Sequence, residues 1–106
     1  MALKPLVFEV LLALVDAPRH GWALVREVEP RLGGEPLLPG NFYRTLRRLL
    51  ADGLIEETPQ PDIAPGDERR RYFRLTAKGL RVARAEAKRL ATLVADGRTR
   101  RLLKVR

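Results

Sequence analysis

The 106-residue chain contains no cysteine and no serine, and only one residue each of histidine, asparagine, glutamine, methionine and tryptophan. Without cysteine there are no disulfides, thiolate zinc sites or cysteine nucleophiles. A single histidine excludes a histidine metal cluster, and nothing supplies a nucleophile paired with a base, so an enzyme is not expected and neither is a metal or other cofactor. Three Phe, two Tyr and one Trp are too few aromatics for a surface that stacks single-stranded RNA. Long apolar runs are missing too. The best candidate, Leu6 to Val15, is interrupted by Glu9 and is about half the length needed to span a bilayer. Lys4 before it and Val15-Asp16-Ala17 after it trace the outline of a secretory signal, but cleavage there would discard a core-forming segment. The expectation is a cytoplasmic protein with no membrane partner.

What is present is 45% hydrophobic and 32% charged residues, enough for one small globular domain with its own core. The net charge is +8 and the isoelectric point is near 11.0, which points to a polyanionic partner, nucleic acid before an anionic membrane. The charge is unevenly distributed. Residues 1–68 carry seven basic and 11 acidic residues, a net of −4, whereas residues 69–106 carry 14 basic residues against Glu86 and Asp96, a net of +12. A smaller basic cluster lies at Arg44, Arg47 and Arg48.

The periodicity predicts a mainly α chain with a small β-hairpin. A first helix runs from Pro5, at a first helical position, to Val15, ended by Asp16-Ala17-Pro18; it is apolar on nearly all sides and so needs cover from its own domain and from another chain or helix, a first hint of dimerisation. A second helix runs from His20 or Gly21 to Leu32, closed by Gly33-Gly34, with Pro30 making its last turn irregular. Asn41 is a good cap for a third helix, which places Phe42, Leu46, Leu49 and Leu50 on one face and Arg44, Arg47, Arg48 and Ala51 on the other. Asp52-Gly53 ends it. Two strands, Leu54 to Thr58 and Arg69 to Leu75, flank a Pro-rich loop, and Thr76 caps a last helix. On that helix Leu80, Ala83, Ala87, Leu90 and Val94 recur at three- and four-residue steps and form a seam for another helix, while Gly97 either ends the helix or weakens it. With Leu6 of the first helix, the seam is the expected dimer interface. Three helices followed by a hairpin is the order of a winged helix-turn-helix, here residues 1–76, with residues 77–106 as dimerisation helix and basic tail.

With those elements in place, several segments read together: Leu12-Ala13-Leu14 with Arg19-His20-Gly21-Trp22, then Pro39-Gly40-Asn41-Phe42-Tyr43-Arg44-Thr45-Leu46, then Leu50-Ala51-Asp52-Gly53-Leu54-Ile55, then Arg70-Arg71-Tyr72-Phe73-Arg74-Leu75-Thr76-Ala77-Lys78-Gly79. In order and spacing they resemble the PadR-like winged-helix transcriptional regulators, in the short form with one C-terminal helix. The likeness covers almost the whole chain. It departs from the family at Trp22, where Tyr is usual, and at Asn41-Phe42, where a small hydroxyl residue and an aliphatic one are usual. The resemblance implies a homodimeric, sequence-specific DNA-binding regulator, a ligand-responsive repressor on an inverted-repeat operator.

The DNA-binding residues expected on this reading are Asn41, Tyr43, Arg44, Arg47, Arg48, Arg69, Arg70 and Arg71. Arg44 and Arg48 are the expected groove contacts, because arginine pairs two-pronged with guanine; Tyr43 and the cap region are expected on phosphate. Acidic Asp62, Asp67 and Glu68 at the wing tip repel phosphate, which leaves contact to Arg69–Arg71 at the hairpin base. His20 is expected to cap or pack, and Arg81, Arg84, Lys88 and Arg89 to flank the seam and face water. Trp22 is read first as core; the resemblance also admits a pocket there for a small hydrophobic or aromatic effector. The alternative to a regulator is a winged-helix protein–protein interaction module whose basic charge only steers association.

Overall fold

Proline sets the start of two of the four helices, as its fixed φ and missing N–H allow at a first helical position. In the computed structural model, which describes residues 2–59 and 71–104, helix α1 spans Pro5–Ala13 and helix α3 spans Pro39–Ala51. The start of α3 corrects the expectation of an Asn41 cap. Leu38 is the capping residue and offers no side-chain bond; Asn41 lies inside the first turn, where its carbonyl accepts from Thr45 Oγ1 at 2.9 Å. Helix α1 stops two residues short of Val15, and Arg19 Nε donates to the freed carbonyl of Ala13 at 2.7 Å.

Arg19–His20 form a short strand, β1, which runs directly into helix α2, Gly21–Val28. His20 caps α2, its Nδ1 accepting from the Ala23 N–H at 3.1 Å, in the capping role expected of it. Pro30 does disturb the end of this segment: Glu29–Arg31 are a 3₁₀ turn. Glu29 also accepts from the Leu37 N–H at 2.9 Å and so fixes the connection between α2 and α3.

The wing comprises β2, Ile55–Thr58, and β3, Tyr72–Leu75, antiparallel with Ile55 opposite Leu75 and Thr58 opposite Tyr72. The hairpin is one part of a three-stranded sheet in the order β1-β3-β2, with Arg19 opposite Phe73. The expected strand from Arg69 begins only at Tyr72 within the described residues; Asp62, Asp67, Glu68, Arg69 and Arg70 lie outside them. Phe73 turns into the core, whereas Arg74 faces outward and binds Glu56 across the strands at 2.7 Å.

Helix α4 spans Ala77–Thr99, and Thr76 caps it as expected, accepting from the Gly79 N–H at 3.0 Å. Gly79 is where α4 meets the start of β2: a Cβ there would collide with the Leu54 carbonyl. Gly97 does not end the helix. The chain leaves it at Arg101, held at φ 64°, with the Leu102 N–H returning to the Gly97 carbonyl at 2.7 Å and the Arg101 N–H to that of Arg98 at 3.0 Å. The core gathers Val10 and Leu11 of α1 with Leu14 just beyond it, Leu24 and Val28 of α2, Phe42, Leu46 and Leu49 of α3, and Ile55 and Phe73 of the wing. Ala83 of α4 belongs to that core rather than to an open seam. From Ala91 to Asp96 every residue of α4 is exposed, so its second half projects from the body.

Candidate nucleic-acid interface

At about 100° per residue, α3 has one buried row and one outward ridge. Phe42, Leu46 and Leu49 anchor the buried row. The ridge carries Gly40, Arg44, Arg47 and Ala51, all exposed; the small residues at its ends leave the two guanidinium groups as its main relief. Among the described residues, Arg44 and Arg47 form no ion pair. Tyr43 lies at one flank of the ridge, Arg48 and Asn41 at the other.

On the Tyr43 flank a groove of about 620 Å³ opens between α3, the start of α2 and the wing base. Trp22, Tyr43, Arg47 and Arg71 line it over an apolar floor of Leu46, Leu50 and Phe73. Trp22 is 60% exposed, which overturns its reading as a core residue; as the first side chain after Gly21 it stands on the rim, and the Tyr43 hydroxyl lies beside Gly21. On the Arg48 flank a second groove, about 530 Å³, lies between α3 and the segment before α1; Lys4, Asn41, Arg44, Thr45 and Arg48 line it. The ridge therefore stands between two basic borders.

Two of the arginines already have acidic neighbours. Arg48 Nε is 3.3 Å from Asp52 Oδ2, and Arg71 Nη1 is 3.5 Å from Glu57 Oε1. Both pairs are solvent-exposed, and such pairs contribute at most about 1 kcal/mol, so a phosphate can replace the carboxylate. The structure thus brings together Asn41, Tyr43, Arg44, Arg47, Arg48 and Arg71 on one side of the molecule. Arg69 and Arg70 lie outside the described residues.

Two residues escaped sequence reasoning. Lys4 borders the Arg48 groove although it stands far from Arg48 in sequence. Glu86, only 4% exposed, is bound by Arg89 through Nε at 2.8 Å and Nη2 at 2.7 Å. Arg89 is therefore committed to a neighbour on its own helix, not simply to water. The hydrogen bond from Arg89 holds the Glu86 carboxyl below the usual carboxylate range, against the upward pull of burial, and the Leu3 N–H and the Arg89 charge add to it. A signal for Glu86 existed: Gly79, Ala83, Glu86 and Leu90 succeed one another at steps of four, three and four, one row of a helix.

The sequence pattern of the transcriptional regulator PadR-like family matches residues 10–85. A PadR family transcriptional regulator from Eggerthella lenta is 32% identical and superposes with a TM-score of 0.65 over 94% of this chain and 83% of its own. A PadR-like transcriptional regulator from Bacillus cereus superposes with a TM-score of 0.76 over 95% of this chain and 93% of its own; at 22% identity that likeness is one of fold. An uncharacterized 37.1 kDa protein in a Streptomyces fradiae transposon is 36% identical over 84 residues, 79% of this chain and 22% of that protein. The chain thus spans about a fifth of the length of that curated relative. Among the described residues no helix is long and apolar enough to cross a membrane. A family pattern that begins inside α1, runs through the arginine ridge and ends in the packed part of α4 assigns the chain to the PadR-like family of DNA-binding transcriptional regulators.

Proposed function

We propose that the protein is a homodimeric, sequence-specific repressor that lays α3 in the major groove of an inverted-repeat operator and responds to a small ligand. The observation that carries this reading is the Arg44–Arg47 ridge, outward-facing, without acidic partners among the described residues, and bordered on both sides by further cations. The two side chains are about 60° apart around the axis, close enough to address neighbouring base edges, and arginine reads guanine with two parallel donors. Tyr43, Arg48 and Asn41 at the flanks, Arg71 at the wing base, and Arg69 and Arg70, which precede it in the sequence, serve the phosphates.

Dimerisation uses α1 and α4. Leu12 of α1, Val15 just beyond it, and Leu93 and Val94 of α4 are large apolar side chains left open to water, with Leu6, Leu80 and Leu90 half-buried and Ala87 exposed. A two-fold axis then requires an inverted repeat with half-sites about one turn, ~10 bp, apart. The resemblance to the family favours repression. A small hydrophobic or aromatic effector would lie in the groove at Trp22, over the floor of Leu46, Leu50 and Phe73.

Selection of bound duplexes from a random pool tests the reading. The expected result is an enriched inverted repeat; no enrichment and no duplex binding at physiological salt would overturn it, as the protein-interaction module predicts.

A further inference from the structure

We propose that the segment Ala2–Lys4 is a second backbone clamp, in which Lys4 engages the DNA phosphate strand on the side of α3 opposite the wing and Glu86 of α4 holds the segment in place. The inference rests on α3 lying in the major groove. A helix in a groove about 12 Å wide has a sugar-phosphate strand along each flank. The wing base, with Arg71, stands at one flank of α3. At the other flank the equivalent place is occupied by the chain before α1, where Lys4, Arg44 and Arg48 border one groove against the single acid Asp52. That net positive border fits a polyanion.

The segment is held, not loose. The Leu3 N–H donates to Glu86 Oε2 at 3.3 Å, and Arg89 fixes the same carboxylate through both of its oxygens. On the other side, the Lys4 carbonyl accepts from the Phe8 N–H at 3.1 Å, and Lys4 itself is the extended residue ahead of Pro5. The backbone of Lys4 is thereby fixed from both directions while the residue stays exposed. Because the tether is on α4, the clamp also joins the dimerisation helix to the DNA-facing surface.

The experiment measures affinity for a random-sequence duplex by fluorescence anisotropy, with the full chain, from about 50 to 200 mM salt, where each phosphate contact contributes roughly 0.9 to the slope of log K against log salt. Lys4→Gln, which leaves the core untouched, is expected to lower the slope by about 0.9 for each protomer bound. Lys88→Gln on α4, which borders neither groove, is expected to keep the wild-type slope. Glu86→Ala, with helix content checked by circular dichroism, is expected to lose as much slope as Lys4→Gln. Duplex binding by the wild type with an unchanged slope in Lys4→Gln overturns the clamp, as does an equal loss in Lys88→Gln; a folded Glu86→Ala with the wild-type slope overturns the tether. Absence of duplex binding by the wild type strikes instead at the proposed function.

Discussion

Helices α3 and α4 are both basic and both amphipathic, yet they leave opposite parts of themselves uncovered. In α3 the anchoring apolar row of Phe42, Leu46 and Leu49 is inside the protein's own core, and what faces outward is mainly guanidinium, with Tyr43 and Asn41 at the flanks. In α4 the row is covered only over its first half, by Gly79, Ala83 and Glu86, and one of its arginines is bound to that buried carboxylate. Beyond Leu90 the apolar residues are open: Leu93 is 51% exposed and Leu102 80%. Exposed apolar side chains suit a protein contact, and exposed cations without acidic partners among the described residues, as at Arg44 and Arg47, suit a polyanion. Two helices of similar composition thus leave different chemistry exposed, and the difference lies in which face the fold has already used.

That contrast can be broken at several points. Removing the apolar row of α3 has the largest expected effect: Phe42→Ala, at a fully buried position, should cost about 3–5 kcal/mol in urea denaturation. Charging the uncovered part of α4, with Leu93→Asp, should leave the unfolding free energy of the monomer, read from urea denaturation, within about 0.5 kcal/mol of wild type, as expected of an exposed position. It should nevertheless shift the sedimentation mass from twice the 12.0 kDa chain mass to the chain mass itself. A monomeric wild type would remove the distinction between the helices.

For the cationic face, Arg44→Ala should reduce discrimination between operator and random duplex by about 1–3 kcal/mol, while Arg71→Ala should weaken both about equally. The opposite pattern would assign the base-reading role to the wing. At the end of α4, Arg101→Gly should stabilise the fold by about 1 kcal/mol, since glycine adopts that positive φ without the strain of a side chain; the midpoint of thermal unfolding reports it.

The mildest expected effect is on acidification. Glu86 titrates below its ordinary value in the fold, so its contribution is present above the usual carboxylate range and is lost as pH falls through the lowered value. The partly exposed Arg89 keeps that contribution modest. Glu86→Gln should flatten this part of the pH dependence of stability.

Much of the fold was legible locally. The row of Phe42, Leu46 and Leu49 and the Thr76 cap are short-range signals, read within one or two turns. Two local signals competed at the start of α3. Asn41 is a capping type, but Pro39 two residues earlier was already fit for a first turn, and the helix began there. Strand β1 was not legible because two residues carry no alternation; Arg19 and His20 are a strand only because β3 lies beside them. The effect of Gly97 depended on Leu102 and Leu103, whose N–H groups return to its carbonyl.

The sequence by itself determined the order of the α-helices and of the wing strands and the basic face of α3, because each follows from periodicity and caps within a few residues; the family pattern lay in the order and spacing of segments along the chain. Tertiary structure alone decided which distant residues share a site: it brought Lys4 and Arg48 to one groove, Trp22 and Arg47 to another, and the Leu3 N–H to Glu86, 83 residues away. Periodicity carries no information about such pairs, since their approach depends on how whole helices pack around Phe42 and Leu24, and no local interaction encodes that packing.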